Sequence, residues 1–209
     1  MTLGRFISIE GGEGAGKSTQ IAMLAERLKT RGLDVDLTRE PGGTEGAEAI
    51  RNLLLGGGDD RWGPAAEALL FAAARSDHVE KRIKPACVKG IWVISDRFLD
   101  SSRAYQGASL GVSDQTIMAL HQIGSAGYLP DRTIILDLPL EASRQRTRAR
   151  DGDNSDRIGG RNDDFHQRVR DAFRQIAKAE PRRVRLVDAS GTPEEVAALI
   201  FEQIADLLP

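Results

Sequence analysis

Gly11, Gly16, Lys17 and Ser18 fill every fixed position of the pattern G-x-x-x-x-G-K-[ST] within the run Glu10-Gly11-Gly12-Glu13-Gly14-Ala15-Gly16-Lys17-Ser18-Thr19. Glycines at these points let successive backbone N–H groups turn inward around an anion, because a Cβ would obstruct both the turn and the close approach. The pattern predicts a loop over residues 11–19 that wraps nucleotide phosphates, with Lys17 on the β- and γ-phosphates and the Ser18 hydroxyl as a ligand of Mg²⁺. A helix opening at Lys17 would add its positive end to the same site. Other polar groups able to do chemistry gather in three further places. These are the turn Arg39-Glu40-Pro41-Gly42-Gly43-Thr44, the pair Asp96-Arg97, and a stretch crowded with Arg144, Arg146, Arg148, Arg150, Arg157 and Arg161. Guanidinium forks onto two phosphate oxygens at once, so arginines outside a phosphate loop suit a site that holds two phosphorylated ligands. Phosphoryl transfer asks for such positioning and charge neutralisation rather than for covalent chemistry from the protein.

The elements that must position these groups are legible in the apolar spacing. Residues 6–9 alternate into the loop as a strand, and Ile21, Leu24 and Leu28 predict a helix over 17–31 that stops at Gly32. A second strand over 33–38 delivers the Arg39 turn, a short helix carries Ala47, Ile50, Leu53 and Leu54, and Gly56-Gly57-Gly58 ends it. A long helix is predicted over 64–83, then an apolar strand over 91–95 with Asp96-Arg97 at its end, where ligands bind in open α/β sheets. A helix over 113–126 and a strand over 133–138 follow, and the chain turns helical from Glu141. After the polar stretch 151–156, a helix bearing Phe165, Val169, Phe173 and Ile176 leads to a fifth strand over 184–187. Thr192, Pro193 and Glu195 sign the start of the last helix as N-cap, first helical residue and capping-box partner. Strands separated by helices predict an α/β fold with a five-stranded, mostly parallel sheet and helices on both faces. The expectation is a single domain over residues 1–209, with a short arginine-rich lid at about 148–160.

Composition narrows the ligand class. With 29 Lys and Arg against 31 Asp and Glu, the net charge of −2 argues against a nucleic-acid surface and for small anionic ligands held locally. The single Cys87 excludes an internal disulfide, and His78, His121 and His166 have neither metal nor triad spacing. No run of 18 apolar residues occurs, so a soluble, cytoplasmic protein without a membrane partner is expected. An Asn-Lys-x-Asp motif, which would read guanine, is also absent.

Four segments in order resemble bacterial thymidylate kinases over nearly the whole chain. They are the loop from Glu10 to Thr19, Thr38-Arg39-Glu40-Pro41-Gly42-Gly43-Thr44, Leu70-Phe71-Ala72-Ala73-Ala74-Arg75, and Asp96-Arg97-Phe98-Leu99-Asp100-Ser101-Ser102-Arg103-Ala104-Tyr105-Gln106-Gly107. The resemblance implies transfer of the γ-phosphate of ATP to dTMP with Mg²⁺, giving dTDP on the way to dTTP, by a homodimer. It implies that Phe71 stacks on thymine, Arg75 bonds its O4, Ser102 and Gln106 complete the base pocket, and Tyr105 disfavours a 2′-hydroxyl. Arg97, with Arg51 and Arg39, would grip the acceptor phosphate; Glu13 would lie near the 3′-hydroxyl, Glu40 in the same pocket, and Asp96 in the Mg²⁺ shell. Taken alone, Arg75 reads as a solvated helix residue and Phe71 as core; their i,i+4 placement on one helix face and the resemblance together move both into the pocket.

One departure concerns the phosphate loop. Some relatives, eukaryotic ones among them, have Asp-Arg where this chain has Glu13-Gly14, so the loop here lacks its own transition-state arginine. By that comparison the resemblance implies a catalytic set of Lys17, Arg97, Arg150 and Arg157, with Arg146 and Arg148 behind them, and Ala189-Ser190-Gly191 is expected as the adenine-side loop. A kinase for another monophosphate such as dUMP or CMP, or a phosphate-loop switch protein, are the alternatives that the residues leave open.

Overall fold

The computed structural model describes residues 3–58, 61–151 and 161–209, and for residues 148–151 the backbone only. Strand β1 (Phe6–Gly11) enters the phosphate loop and helix α1 (Lys17–Lys29), then β2 (Val35–Arg39) leads to α2 (Glu45–Leu55) and α3 (Pro64–His78). Helix α4 (Lys84–Val88) precedes β3 (Trp92–Asp96), and α5 (Leu99–Ser102) and α6 (Asp114–Ser125) precede β4 (Arg132–Asp137). The chain closes with α7 (Leu140–Asp151), α8 (Asp163–Ala179), β5 (Val184–Asp188) and α9 (Pro193–Glu202). All five strands are parallel, in the order β2-β3-β1-β4-β5, where the sequence predicts a mostly parallel sheet. Every connection between successive strands contains a helix, which is what a parallel neighbour requires.

One helical prediction changes, and one helical stretch is added. The helix expected over 64–83 is α-helical only to His78 and then widens to a π-helical turn, Val79–Ile83, before α4. Residues 99–109, in which Ser101, Ser102 and Gly107 argue against a helix, form α5 and a π-helical segment, Arg103–Ser109. Burial overrides propensity there: all four residues of α5 are buried, and so are Ala104, Tyr105, Gln106 and Gly107. The predicted capping box of α9 is present, with Glu195 N donating to Thr192 Oγ1 and Thr192 N donating to Glu195 Oε2.

Period-two alternation splits β1 between two environments. Ile7 and Ile9 pack with Ile21, Leu24 and Leu28 of α1 and Val196 and Ile200 of α9 on one face of the sheet. The opposite face begins with Phe6 in a second apolar cluster with Phe98, Leu99 and Ile117, while Phe165, Val169 and Phe173 of α8 cover Ile135 and Val184. Between these clusters that face is polar. Ser8 Oγ meets Thr133 Oγ1 at 2.9 Å, and Thr133 Oγ1 donates to Asp100 Oδ2 at 3.0 Å.

Asp100 is fully buried and holds two arginines. Arg183 contacts its two carboxylate oxygens at 2.7 and 2.9 Å, and Arg103 Nη1 donates to Oδ1 at 3.1 Å. Burial alone would raise this carboxyl's pKa, but Arg183, Arg103 and Thr133 outweigh it and hold it below the usual carboxylate range. Removing one partner from a buried pair leaves an uncompensated charge, so Asp100→Ala is expected to lower unfolding free energy by about 3–5 kcal/mol in urea titration. A loss under about 1 kcal/mol would mean that water reaches this cluster freely.

Candidate functional site

The carboxyl ends of β1 and β3 sit side by side in the sheet, with Ile9 paired to Asp96. A cleft of about 320 Å³ opens there. Glu13, Gly14, Ala15, Gly16, Lys17, Ser18 and Thr19 line one part of it, whereas Gly11 and Gly12 stand behind and shape the loop. Gly11, Gly14 and Gly16 have φ of +137°, +66° and +89°, a region that a side chain strongly disfavours. At Gly14 space forbids a side chain as well: a Cβ would lie 2.5 Å from the carbonyl oxygen of Ser143, because α7 packs directly on the loop. Ser143 Oγ also donates to Glu13 O. Lys17 Nζ folds back to Gly12 O at 2.9 Å and Gly11 O at 3.2 Å. Burial, reinforced by Arg97, lowers its pKa to about 8 against the pull of Asp96, Glu13 and Glu10.

Arg97 crosses between the two halves of the cleft. Its Nη1 donates to Gly11 O at 3.0 Å and Ser101 Oγ at 3.2 Å, its Nη2 to Glu13 Oε1 at 3.3 Å, and its guanidinium lies 5.0 Å from the Tyr105 ring centroid. Its backbone has φ of +72°, so a bulky residue is held in the left-handed region by its surroundings. Glu10, fully buried at the end of β1, supplies that hold. Its Oε1 accepts from Phe98 N at 2.7 Å and its Oε2 from Ser101 Oγ at 2.5 Å, fastening the turn after Arg97 to the strand. Burial, with the Asp100 charge, pushes its pKa up to about 7 despite those bonds and Arg97.

Phe71, Ser102, Tyr105 and Gln106 line the remaining part of the cleft, with Arg39, Glu40 and Arg51 at the side. Arg51 Nη1 donates to Pro41 O at 2.7 Å, and Arg39 forms an exposed pair with Glu48 at 3.2 Å. Arg75 is not on the wall. It lies 3% exposed behind Ser102, donating to Glu40 Oε2 and Ser102 Oγ at 2.8 Å and to Phe98 O at 3.2 Å. Among the described residues its Nη1 donates no hydrogen bond, so that nitrogen remains for an occupant. Glu40 reaches the cleft, but its two carboxylate oxygens are engaged by Arg75 and by His78 Nδ1 at 3.0 Å. It therefore orients Arg75.

The arginine-rich stretch divides. Arg146 Nη1 donates to Ala189 O at 3.1 Å, which ties the helix to the segment Ala189-Ser190-Gly191, and that segment does not line the cleft. Arg157 lies outside the described residues, as do the side chains of Arg148 and Arg150 and the lid expected over 152–160. Sequence reasoning gave no role to Glu10, Ser101, Glu67 or Arg161. Glu10 was the findable one, since a carboxylate closing an otherwise apolar strand must be paired or protonated.

A Mg²⁺ ion fits the donors present. Ser18 and Asp96 both line the cleft, and Asp96 Oδ1 is a buried oxygen without a hydrogen bond among the described residues. No group of three or more His, Cys, Asp or Glu able to hold a metal occurs among the described residues. Nor is any described helix long and apolar enough to cross a membrane.

A family model described as thymidylate kinase matches residues 9–200. A thymidylate kinase of Rhizorhabdus wittichii is 59% identical over 206 residues, spanning 99% of each chain. One from Bradyrhizobium diazoefficiens is 51% identical over 99% of this chain and 91% of its own. Among solved structures, the thymidylate kinase from Ehrlichia chaffeensis superposes with a TM-score of 0.75 at 34% identity, covering 95% of this chain and 97% of that one.

The Glu10 geometry predicts a pH signature. A carboxyl with a folded pKa near 7, above its ordinary 4.5, holds its proton more tightly when folded, so its contribution is complete below about pH 4.5 and is lost as pH rises through 7. The unfolding free energy of wild type minus that of Glu10→Gln should therefore fall between pH 5 and 8 in urea titrations. A difference that does not vary with pH would show that Glu10 is ionised throughout.

Proposed function

Because the chain belongs to the thymidylate kinase family, we propose that its cleft holds ATP and dTMP end to end and transfers the γ-phosphate of ATP to dTMP, giving dTDP. The observation that carries this reading is the shared cavity. One continuous cleft is lined by the phosphate loop from Glu13 to Thr19 and by Arg97, Phe71, Ser102, Tyr105 and Gln106. An oxygen of the dTMP phosphate attacks the γ-phosphorus while the bond to the β,γ-bridging oxygen breaks, and ADP leaves with that electron pair.

The backbone N–H groups of residues 13–19 cradle the ATP phosphates, and Lys17 exchanges the carbonyls of Gly11 and Gly12 for phosphate oxygens. With a pKa near 8 Lys17 is mostly protonated at neutral pH, and a bound polyphosphate would hold the proton more firmly. Arg97, with Arg51 and Arg39, holds the acceptor phosphate, and Glu13 lies beside the sugar. Phe71 supplies the stacking face for thymine, while Arg75 and Gln106 read its edge. Ser18 and Asp96 would hold Mg²⁺, which would supply neutralisation of the phosphate charge when bound. Gly14 pressed against α7 supports a loop without an arginine of its own, and we assign the transition-state charge to Arg150 and Arg157. ATP and dTMP are cytoplasmic metabolites, and the enzyme works there as one nucleoside-monophosphate-kinase domain. A homodimer is supported by Leu69 on α3 and Ile123 on α6, 56% and 84% exposed on helices that pack together.

Coupled ADP release with a panel of monophosphates tests the reaction, with dTMP expected to give the highest kcat/KM. ATP turnover indifferent to dTMP would refute the kinase, whereas preference for another base would retain the mechanism and change the substrate. Arg150→Ala or Arg157→Ala should lower kcat by about 10³-fold while calorimetric dTMP affinity changes little, because such an arginine acts in the transition state. Wild-type kcat in both variants would move that charge elsewhere. Light scattering at twice the chain mass, falling to one chain mass in Ile123→Glu, tests the dimer.

A further inference from the structure

Behind the base end of the cleft lies a buried carboxylate that the reaction itself does not use. Glu67 on α3 is fully buried. Its Oε1 accepts from Gln106 Nε2 at 2.9 Å and its Oε2 from Arg161 Nη2 at 3.0 Å. Arg161, at the foot of α8, lies 4.7 Å over the Phe165 ring and offsets the carboxylate charge inside the protein. Gln106 is itself 1% exposed, yet it lines the cleft.

A side-chain amide has a donor end and an acceptor end, and a buried amide free to rotate by half a turn could present either to a ligand. A carboxylate only accepts, so Glu67 must face the amide nitrogen of Gln106. Among the described residues Gln106 Oε1 takes no hydrogen bond, and it is the end left to meet an occupant. We propose that Glu67 is a positioning residue that fixes the Gln106 amide with its oxygen toward the base, so that the pocket accepts a hydrogen bond from a ring N3–H. Thymine and uracil carry that N–H. Cytosine presents a bare N3 lone pair, which would face the amide oxygen with no proton between them and leave both unpaired in a buried site.

The inference rests on the cleft being a pyrimidine-monophosphate site, and a binding measurement without ATP separates it from turnover. In calorimetry, wild type is expected to bind dTMP at least tenfold more tightly than dCMP. Glu67→Gln keeps the shape but offers either end to Gln106, and should reduce the dTMP-to-dCMP affinity ratio by about tenfold, the worth of one mismatched buried hydrogen bond. The dTMP-to-dUMP ratio should stay within twofold, because the two bases share this edge. An equal loss for all three nucleotides would make Glu67 merely structural and overturn the proposal. Should Glu67→Gln not fold, wild type answers alone: N3-methyl-dTMP, which lacks the proton, should bind at least tenfold more weakly than dTMP, and equal binding would refute an amide oxygen facing N3. Tight, selective dTMP binding without ADP release would instead leave the inference standing and refute the kinase reading.

Discussion

The Glu10 carboxylate is the fastening on which the cleft depends. It closes β1 and takes two hydrogen bonds from the next strand's exit, Phe98 N and Ser101 Oγ. The residue between strand and fastening is Arg97, whose left-handed backbone survives because both flanks are fixed: Arg97 N donates to Ile9 O at 3.0 Å, and Phe98 is pinned by Glu10. A guanidinium launched from this point reaches the phosphate-loop carbonyl of Gly11 and the carboxylate of Glu13 together. The two halves of the site are thereby referred to one strand end, which is where small displacements matter most for in-line transfer.

The same face of β1 carries the fastening and a polar seam beneath it. Ser8, Thr133 and Asp100 continue the line from Glu10 into the interior, where Arg103 and Arg183 close it. An apolar seam of similar volume would contribute comparable stability, because desolvating charges costs about what their attraction returns. What the charged seam adds is direction. Each carboxylate specifies which donor it faces, and α5 and the widened turn after it include Asp100, Ser101, Ser102 and Gly107, residues of low helix propensity. Their conformation comes from these partners and from burial.

Arginines in and behind the site are accordingly of two kinds. Arg75, Arg103, Arg161 and Arg183 are bound to carboxylates inside the fold and set the positions of other groups. Arg97 and Arg51 line the cleft and donate to backbone carbonyls, neutral acceptors that a phosphate can displace, and Arg97 has a longer contact to the Glu13 carboxylate at 3.3 Å as well. Lys17 rests in the same way. Cations parked on carbonyls are poised for anions, whereas cations locked on carboxylates are not, and that difference is invisible in residue type.

The sequence by itself determined the architecture and half of the site. The phosphate loop is local: its glycines, Lys17 and Ser18 act on a ligand from consecutive residues, so spacing is enough to read them. The strands and most helices are likewise local periodicities, and Thr192-Pro193-Glu195 announces its cap within a few residues. Resemblance of motifs placed Phe71, Ser102, Tyr105 and Gln106 at one pocket, and the fold brings them to one cleft. Tertiary structure decided what crosses the chain. Arg75 stands behind the wall because Glu40, some 35 residues away, takes its Nε, and Gln106 is oriented by Glu67, 39 residues away. Gly14 excludes a side chain because α7 arrives there from residue 143. A hydrogen bond depends on distance and angle between atoms, and sequence separation fixes neither once the chain has folded back on itself.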